Sequence, residues 1–473
     1  MIGVRVRARY YRYTPPSRDD TLWLAAVAGL TALGALAYTV SAYQVSPLIF
    51  PVALVGLGFV CAALAYPQLG VAGALLLLPA ESIRLKLPLG SLSPPETILL
   101  LIAAGWLGRA LLRPDTVAMP RLRDASVWLL LLLIGLGVAV AVDGKVVLRV
   151  FLVWIGFYFV YLQAQTFTPK QMRLVLAALV IGAGVVGVEG AVRYLSSGQF
   201  GLVQGTDQTL GRAVGSLADA NYFAALLVLA LLPGIALVVG DLRRHVWLIP
   251  GLAGAVVGLA LSLSRGGMSG FAVGLLLLLL WRRWRWVVAA VVVVFVVLTA
   301  ANANPIVKSD QFGIVTQRLS TLGSEKTEST VSRRPQIWHT ALDVASEHPF
   351  LGVGVNQFIY QEARRGLFER GGPLENAHSI PLSLAAETGL PGLVAFLWFI
   401  CQLAGRARRA LRTSSSLHYM LAIGLSAALL AFMIQGLTVV QLRVQIVAGI
   451  FFVFAGMLTG LADHAGERER LSG

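Results

Sequence analysis

Residues 217–240 read LADANYFAALLVLALLPGIALVVG, and no charged side chain falls between Asp219 and Asp241. A helix needs about 20 residues to cross roughly 30 Å of hydrocarbon, and it satisfies its own backbone groups on the way. The continuous Leu, Ala, Val and Gly run is unlike the short alternating segments of a transmembrane barrel. It reads as a membrane-spanning helix with Asp219 and Asn221 at its polar entrance.

Similar runs lie on both sides, at about 21–41, 48–66, 68–80, 96–112, 126–142, 146–165, 174–195, 246–264, 267–281, 285–301, 381–403, 417–438 and 444–462. Two of them, 68–80 and 267–281, are short enough to be tilted, re-entrant or broken. With 57% hydrophobic and 13% charged residues and a mean hydropathy of +0.76, the composition excludes a soluble domain of this length. The predicted fold class is an all-α polytopic membrane protein with about 12–14 transmembrane helices and one large helical loop. That divides the chain into an N-terminal bundle at 1–301, a loop domain at 302–380 and C-terminal helices at 381–473. Cys61 and Cys401 both sit inside apolar runs, which argues against a disulfide framework or a thiolate metal site.

The net charge of +15 would point to nucleic acid in a soluble chain. Here the cations gather in short connections instead: Arg5 to Arg18, Arg109 to Arg123, Lys170 and Arg173, Arg243 and Arg244, Arg282 to Arg285, Arg406 to Arg412, and Arg468 and Arg470. Placing the N-terminus in the cytoplasm puts all of these on one side, as the positive-inside rule requires. The run at 21–41 lacks a small-x-small cleavage pattern and reads as a retained first helix. Both termini are then cytoplasmic. The loops 81–95, 196–216 and 302–380, with the Ser264–Gly267 junction, are then on the outer face.

Within the long loop, Pro335 is expected in the first turn of a helix. Trp338, Leu342 and Ala345 share one face of it, with Ile337, Ala341 and Val344 beside them. Pro349, Gly352 and Gly354 end that helix, and a second, charged helical piece follows from about 357 to 370. Eight basic and eight acidic residues, roughly, nearly balance in the loop, so an anion site there must be built from particular arginines.

Arg265, in Ser262-Leu-Ser264-Arg265-Gly266-Gly267, is the first candidate. An arginine near membrane depth is costly and a guanidinium matches phosphate bidentately. Small neighbours would let a bulky group approach; the alternative is an arginine snorkelling to the interface. Arg333 and Arg334 come next, disfavoured by the dipole at a helix start unless they serve a ligand, the alternative being a solvated helix end. His378 precedes an apolar span whose positive end would keep its ring neutral, available as a general base; it could equally be an interfacial histidine without a task. Arg212, Arg193 and Arg443 are secondary candidates on the same face. Arg212 leads because it follows a glycine-rich loop, and Arg193 is expected to pair with Glu189, four residues before it. No metal-binding, Walker or dinucleotide pattern appears, so no metal or cofactor is expected.

Taken in order, these stretches resemble the O-antigen ligase and O-antigen polymerase superfamily of bacterial envelope glycosyltransferases. The resemblance runs from about Gly205 to Trp398: Gly215-Ser-Leu-Ala-Asp219-Ala-Asn221, then Ser264-Arg265-Gly266, Arg334-x-x-x-Trp338, Pro349-x-x-Gly352-x-Gly354-x-x-x-Phe358, and His378-Ser379 followed after nine residues by Gly389-Leu-Pro-Gly392. The last pattern looks like the ligase signature and is the most specific. The resemblance implies a metal-independent inner-membrane enzyme with a periplasmic active site. Its donor would be a glycan on undecaprenyl pyrophosphate, its acceptor a sugar hydroxyl of lipid A–core, and no nucleic acid would take part. Catalysis would fall to His378, Arg265 and Arg334, and substrate binding to Arg265, Arg333, Arg334, Arg212, Asn221 and Trp338. A polymerase of the same superfamily is the nearest alternative. A lipid or glycan transporter, which would show internal repeats and mid-membrane charges, is the alternative of another class.

Overall fold

The computed structural model describes residues 49–87, 90–112, 114, 117, 119–197, 212–217, 219–279, 329–365, 376–412 and 415–472. The expected spans at 21–41 and 285–301 lie outside them.

The order is α1 (Ile49–Ala65), α2 (Pro67–Leu76), a hairpin of β1 (Leu85–Leu87) and β2 (Gly90–Leu92), α3 (Pro94–Leu112), α4 (Ala125–Leu136), α5 (Gly144–Ala164) and α6 (Pro169–Ser197). Then come α7 (Ala220–Gly240), α8 (Ile249–Ser262), α9 (Arg265–Leu279), α10 (Ser329–Glu347), α11 (Phe358–Arg364), α12 (Ile380–Ala410), α13 (Ser416–Gly436) and α14 (Gln445–Ser472). Among the described residues, nine helical stretches are long and apolar enough to cross a membrane, and α2 and α9 are shorter apolar helices. The protein is therefore an all-α, multi-pass membrane protein. The two short runs are helices, as their composition implies. α7 and the Gln445–Ala465 stretch of α14 are mostly buried and form the centre of the bundle.

The long loop departs from the sequence reading in two details. α10 begins at Ser329, so Pro335 lies in its second turn rather than its first. Proline's fixed φ suits a helix, and only the carbonyl four residues back, that of Val331, loses its partner. The stripe that docks is Ile337, Ala341 and Val344, whereas Leu342, about 100° further round the helix, is exposed.

Those three residues make a small core with Val353, Phe358, Ala377 and Ala386, which seats the loop on α12. A backbone clasp completes the seat. Val353 N–H donates to the Ala386 carbonyl at 3.0 Å, Gly354 N–H to the Glu387 carbonyl at 2.9 Å, and Leu390 N–H to the Pro349 carbonyl at 2.8 Å. In a regular helix Leu390 would serve Ala386, and residue 391 would serve Glu387. Pro391 has no N–H, and Gly389 (φ 72, ψ 177) turns the chain so that Leu390 points elsewhere. The kink thus releases backbone groups from α12 and the 349–354 segment takes them up. A Cβ on Gly352 would lie 2.4 Å from the Glu387 carbonyl carbon, and one on Gly389 would lie 2.5 Å from that of Phe350.

Toward the other end of α12, about 25 Å of helix beyond the kink, a buried ionic cluster joins four segments. Arg406 Nη2 lies 3.5 Å from Asp124, and its Nη1 donates to Tyr161 Oη at 2.7 Å and Thr459 Oγ1 at 3.1 Å. Arg123 pairs with Asp463 at 2.7 Å.

Beside the hairpin, Glu81 is fully buried in the turn Leu78–Ser82. It receives Ser93 Oγ at 2.5 Å and Arg84 at 3.0 Å, while Glu96 receives Arg84 at 3.1 Å. Burial first, then the Glu96 charge, push its carboxyl up from 4.5 to about 8.

Two predictions follow from these contacts. The Gly389 conformation is open to glycine alone, so Gly389→Ala is expected to cost about 2 kcal/mol or more in unfolding of the detergent-solubilised protein; an unchanged midpoint contradicts the clasp. Glu81 stays protonated in the fold while the unfolded chain ionises, so its favourable contribution is complete below pH 4.5 and is lost as pH rises through about 8. Glu81→Gln is therefore expected to match wild-type melting near pH 5, exceed it progressively toward pH 8 and hold that margin above; a pH-independent difference contradicts the assignment.

Candidate functional site

α7 starts where it does because Asp219 caps it: Oδ1 accepts from Asn221 N–H at 2.6 Å and from Tyr222 N–H at 3.2 Å. The cap fixes Asn221 in the first turn, where it becomes a hub. Its Oδ1 accepts from Arg212 Nη2 at 3.0 Å and from Ser264 Oγ at 2.9 Å. Its backbone carbonyl accepts from Gln435 Nε2 of α13 at 2.8 Å.

Arg212 also donates from Nε to the Ser262 carbonyl at 2.9 Å. That carbonyl is available because α8 ends there, with Leu263 in a left-handed conformation (φ 51). Both acceptors are neutral. Burial pulls the Arg212 guanidinium down from its usual range, Asp219 opposes the shift, and the Arg265 cation adds to it. Ser264, fully buried, accepts Gly267 N–H at 3.2 Å and so begins α9, with Arg265 as its first residue. Arg265 thus stands at a helix N-terminus, where the dipole favours an anion.

Gly266 and Gly267 do not open space for a substrate, contrary to the expectation from sequence. A Cβ on Gly266 would lie 2.8 Å from Thr438 Oγ1, and one on Gly267 would lie 2.6 Å from Ala224 Cβ. The glycines let α9 pack against α13 and α7, the usual work of small residues between membrane helices.

The hub extends to His378. Asn376 Nδ2 reaches the Tyr222 hydroxyl at 3.5 Å, and Asn376 Oδ1 accepts His378 N–H at 2.8 Å. This turn holds half-buried His378 in a left-handed conformation (φ 45) immediately before Ser379 and the start of α12. Strained backbone of this kind persists where the surroundings over-determine it. Ala377 is fully buried beside Ile337 in the small core. Arg334 is three residues before Ile337 on the same helix, a spacing that puts the two on one side of it. Trp338 is half-buried, and its Nε1 has no hydrogen-bond partner among the described residues. The side chain of Arg333 lies outside the described residues.

Arg443 donates to Glu387 Oε1 at 2.8 Å, and Arg193 is held by Glu189 at 2.5 Å, the pairing expected from their spacing. Tyr222, Ser264, Asn376 and Gln435 were not singled out from sequence. Ser264 and Tyr222 each adjoin a residue that was. Asn376 and Gln435 carry no local signal, because their partners are 154 and 214 residues away. No group of three or more His, Cys, Asp or Glu lies together among the described residues.

Residues 250–397, about a third of the chain, match the family model described as O-Antigen ligase. The match is consistent with a member of the O-antigen ligase/polymerase superfamily, whose members are glycosyltransferase-like ligases and polymerases acting on lipid-linked glycans in a membrane. It covers Arg265, Arg334, Trp338, His378 and the Gly389 kink; Arg212 and Asn221 lie before it. No curated protein matches the chain.

Asn221→Ala deprives a buried guanidinium N–H and a buried hydroxyl of their acceptor. It is expected to cost about 1–3 kcal/mol of stability, with Asn221→Asp costing less because it keeps the acceptor oxygen. Thermal unfolding in detergent checks this; equal loss in both variants would contradict the hub.

Proposed function

We propose that the protein is an O-antigen ligase: it transfers a glycan from undecaprenyl pyrophosphate to a sugar hydroxyl of lipid A–core. Transfer takes place on the periplasmic face of the bacterial inner membrane, with both termini in the cytoplasm. The observation that carries the reading is the continuous run from Arg212 through Asn221, Tyr222 and Asn376 to His378, with Ser264 and Arg265 attached at Asn221. It sets cations suited to a pyrophosphate and a histidine suited to a hydroxyl at one end of the bundle.

Arg265 and Arg212, with Arg334 from α10, hold the pyrophosphate and stabilise the charge that grows on it. The acceptor oxygen attacks the anomeric carbon from the side opposite the leaving group. The new carbon–oxygen bond forms as the bond to the pyrophosphate breaks, and the pyrophosphate departs with the electron pair. His378 takes the hydroxyl proton on a ring nitrogen. A single displacement inverts the anomeric centre and needs no covalent intermediate. The driving energy comes with the donor, and Trp338 offers an N–H and an aromatic face beside the arginines.

The test is transfer by the purified protein from undecaprenyl-pyrophosphate-linked glycan to lipid A–core, in the presence of chelator. Wild type is expected to transfer, and His378→Ala to lose about 10²–10⁴ in turnover. Normal turnover in His378→Ala removes the base assignment. Lengthening of the glycan without transfer to the core makes the protein a polymerase instead.

A further inference from the structure

Beside this site, and sharing none of its residues, lies a cavity of about 580 Å³. It is bounded by the β-hairpin, α5, the first turns of α12 and the turn between α13 and α14. Ile380 and Ser383 line it, and Ile380 is two residues beyond His378.

Six charged side chains reach the lining: Arg84, Glu96, Lys145, Arg149, Glu387 and Arg443. Both carboxylates are taken. Glu96 is held by Arg84 at 3.1 Å and by Ser93 N–H at 2.8 Å, and Glu387 by Arg443 at 2.8 Å and by Phe358 N–H at 3.4 Å. Asp143 nearby is spent on capping α5, accepting from Lys145 N–H at 3.0 Å. Lys145 and Arg149 are left without a carboxylate partner among the described residues.

Arg149 is nonetheless fixed in place. Its guanidinium donates to the Ser91 carbonyl, and the hairpin closes over it so tightly that a Cβ on Gly90 would lie 2.4 Å from Nη1. Three further groups on the lining are buried without a hydrogen-bond partner: Ser383 Oγ, on a residue 3% exposed, Arg443 Nε and Gln445 Oε1. Two of these are donors. Two cations without a carboxylate partner on one lining, with spare donors in the wall behind it, fit a phosphate. The remaining wall, which includes Val150, Val153, Trp154, Leu384 and Val444, is apolar and fits a lipid's first carbons.

We propose that this cavity binds the phosphate-bearing headgroup of a lipid, with Lys145 and Arg149 on the phosphate oxygens. The site stands on its own geometry. That its occupant is the acceptor glycolipid rests on the glycosyl-transfer reading, under which two lipid-borne substrates meet at His378 and only one of them takes Arg212 and Arg265.

The test is a titration of the full-length protein in non-ionic detergent with dioctanoyl phosphatidic acid, dioctanoyl phosphatidylcholine and inorganic phosphate. The readout is the rise in melting temperature, which follows ligand binding to the folded state. Phosphatidic acid is expected to bind saturably, with affinity at least tenfold weaker in Arg149→Gln and weaker in Lys145→Gln, whose exposed side chain makes misfolding an unlikely confusion. Phosphatidylcholine and inorganic phosphate are expected to bind at least tenfold more weakly than phosphatidic acid. Equal affinity in wild type and both variants overturns the site. Phosphate binding as tightly as the lipid overturns the lipid assignment. In a transfer assay Arg149→Gln is expected to raise the acceptor KM and leave the donor KM unchanged; a raised donor KM instead overturns the acceptor assignment. Absence of transfer with intact lipid binding would sink the glycosyl-transfer reading while leaving the site.

Discussion

The side-chain oxygen of Asn221 accepts from Arg212 and Ser264 while its backbone oxygen accepts from Gln435, and the arrangement around it follows from those three bonds. A guanidinium near the membrane needs its donors satisfied, and a carboxylate partner would cancel the charge. Here neutral oxygens do the satisfying, so the cation stays available to an anion. The opposite end of the bundle is built the other way. Arg406 meets Asp124 and Arg123 meets Asp463, charge against charge, and the result is a joint between helices.

An exchange of backbone bonds helps to bring His378 to that charge. The kink at Gly389 and the missing N–H of Pro391 free two carbonyls and one N–H on α12, and the segment after α10 takes all three. Ile337 and Ala377 share one small core, which ties the helix bearing Arg334 to the segment bearing His378. Loop and span therefore act as one support for the site.

Much of this was legible in the sequence, for reasons that differ by element. The spans were readable because hydrocarbon thickness sets a length that Leu, Ala and Val runs must meet, and each expected span within the described residues is a helix. Arg265 and His378 stood out because polar residues at the ends of apolar runs are costly without a task, Arg212 because it follows a glycine-rich loop, and Asn221 through the family resemblance alone. The paired glycines after Arg265 were misread: a residue without a side chain looks the same whether a substrate or another helix fills the space, and here α7 and α13 fill it. Gly352 and Gly354 were read as ending a helix and Gly389 as part of a spacing, but the clasp itself was not legible, since the bonds they permit join segments far apart in the chain. The lipid-sized cavity had no sequence signature at all, because its lining comes from six separate stretches.

The account's central claim is that Arg212 and Arg265 hold the donor's pyrophosphate with its sugar facing His378. A structure of the protein in nanodiscs with undecaprenyl-pyrophosphate-linked glycan tests it most directly. The account predicts phosphate oxygens about 3 Å from both guanidinium groups and the anomeric carbon on the His378 side. Pyrophosphate bound elsewhere, with Arg212 and Arg265 contacting protein alone, would contradict it.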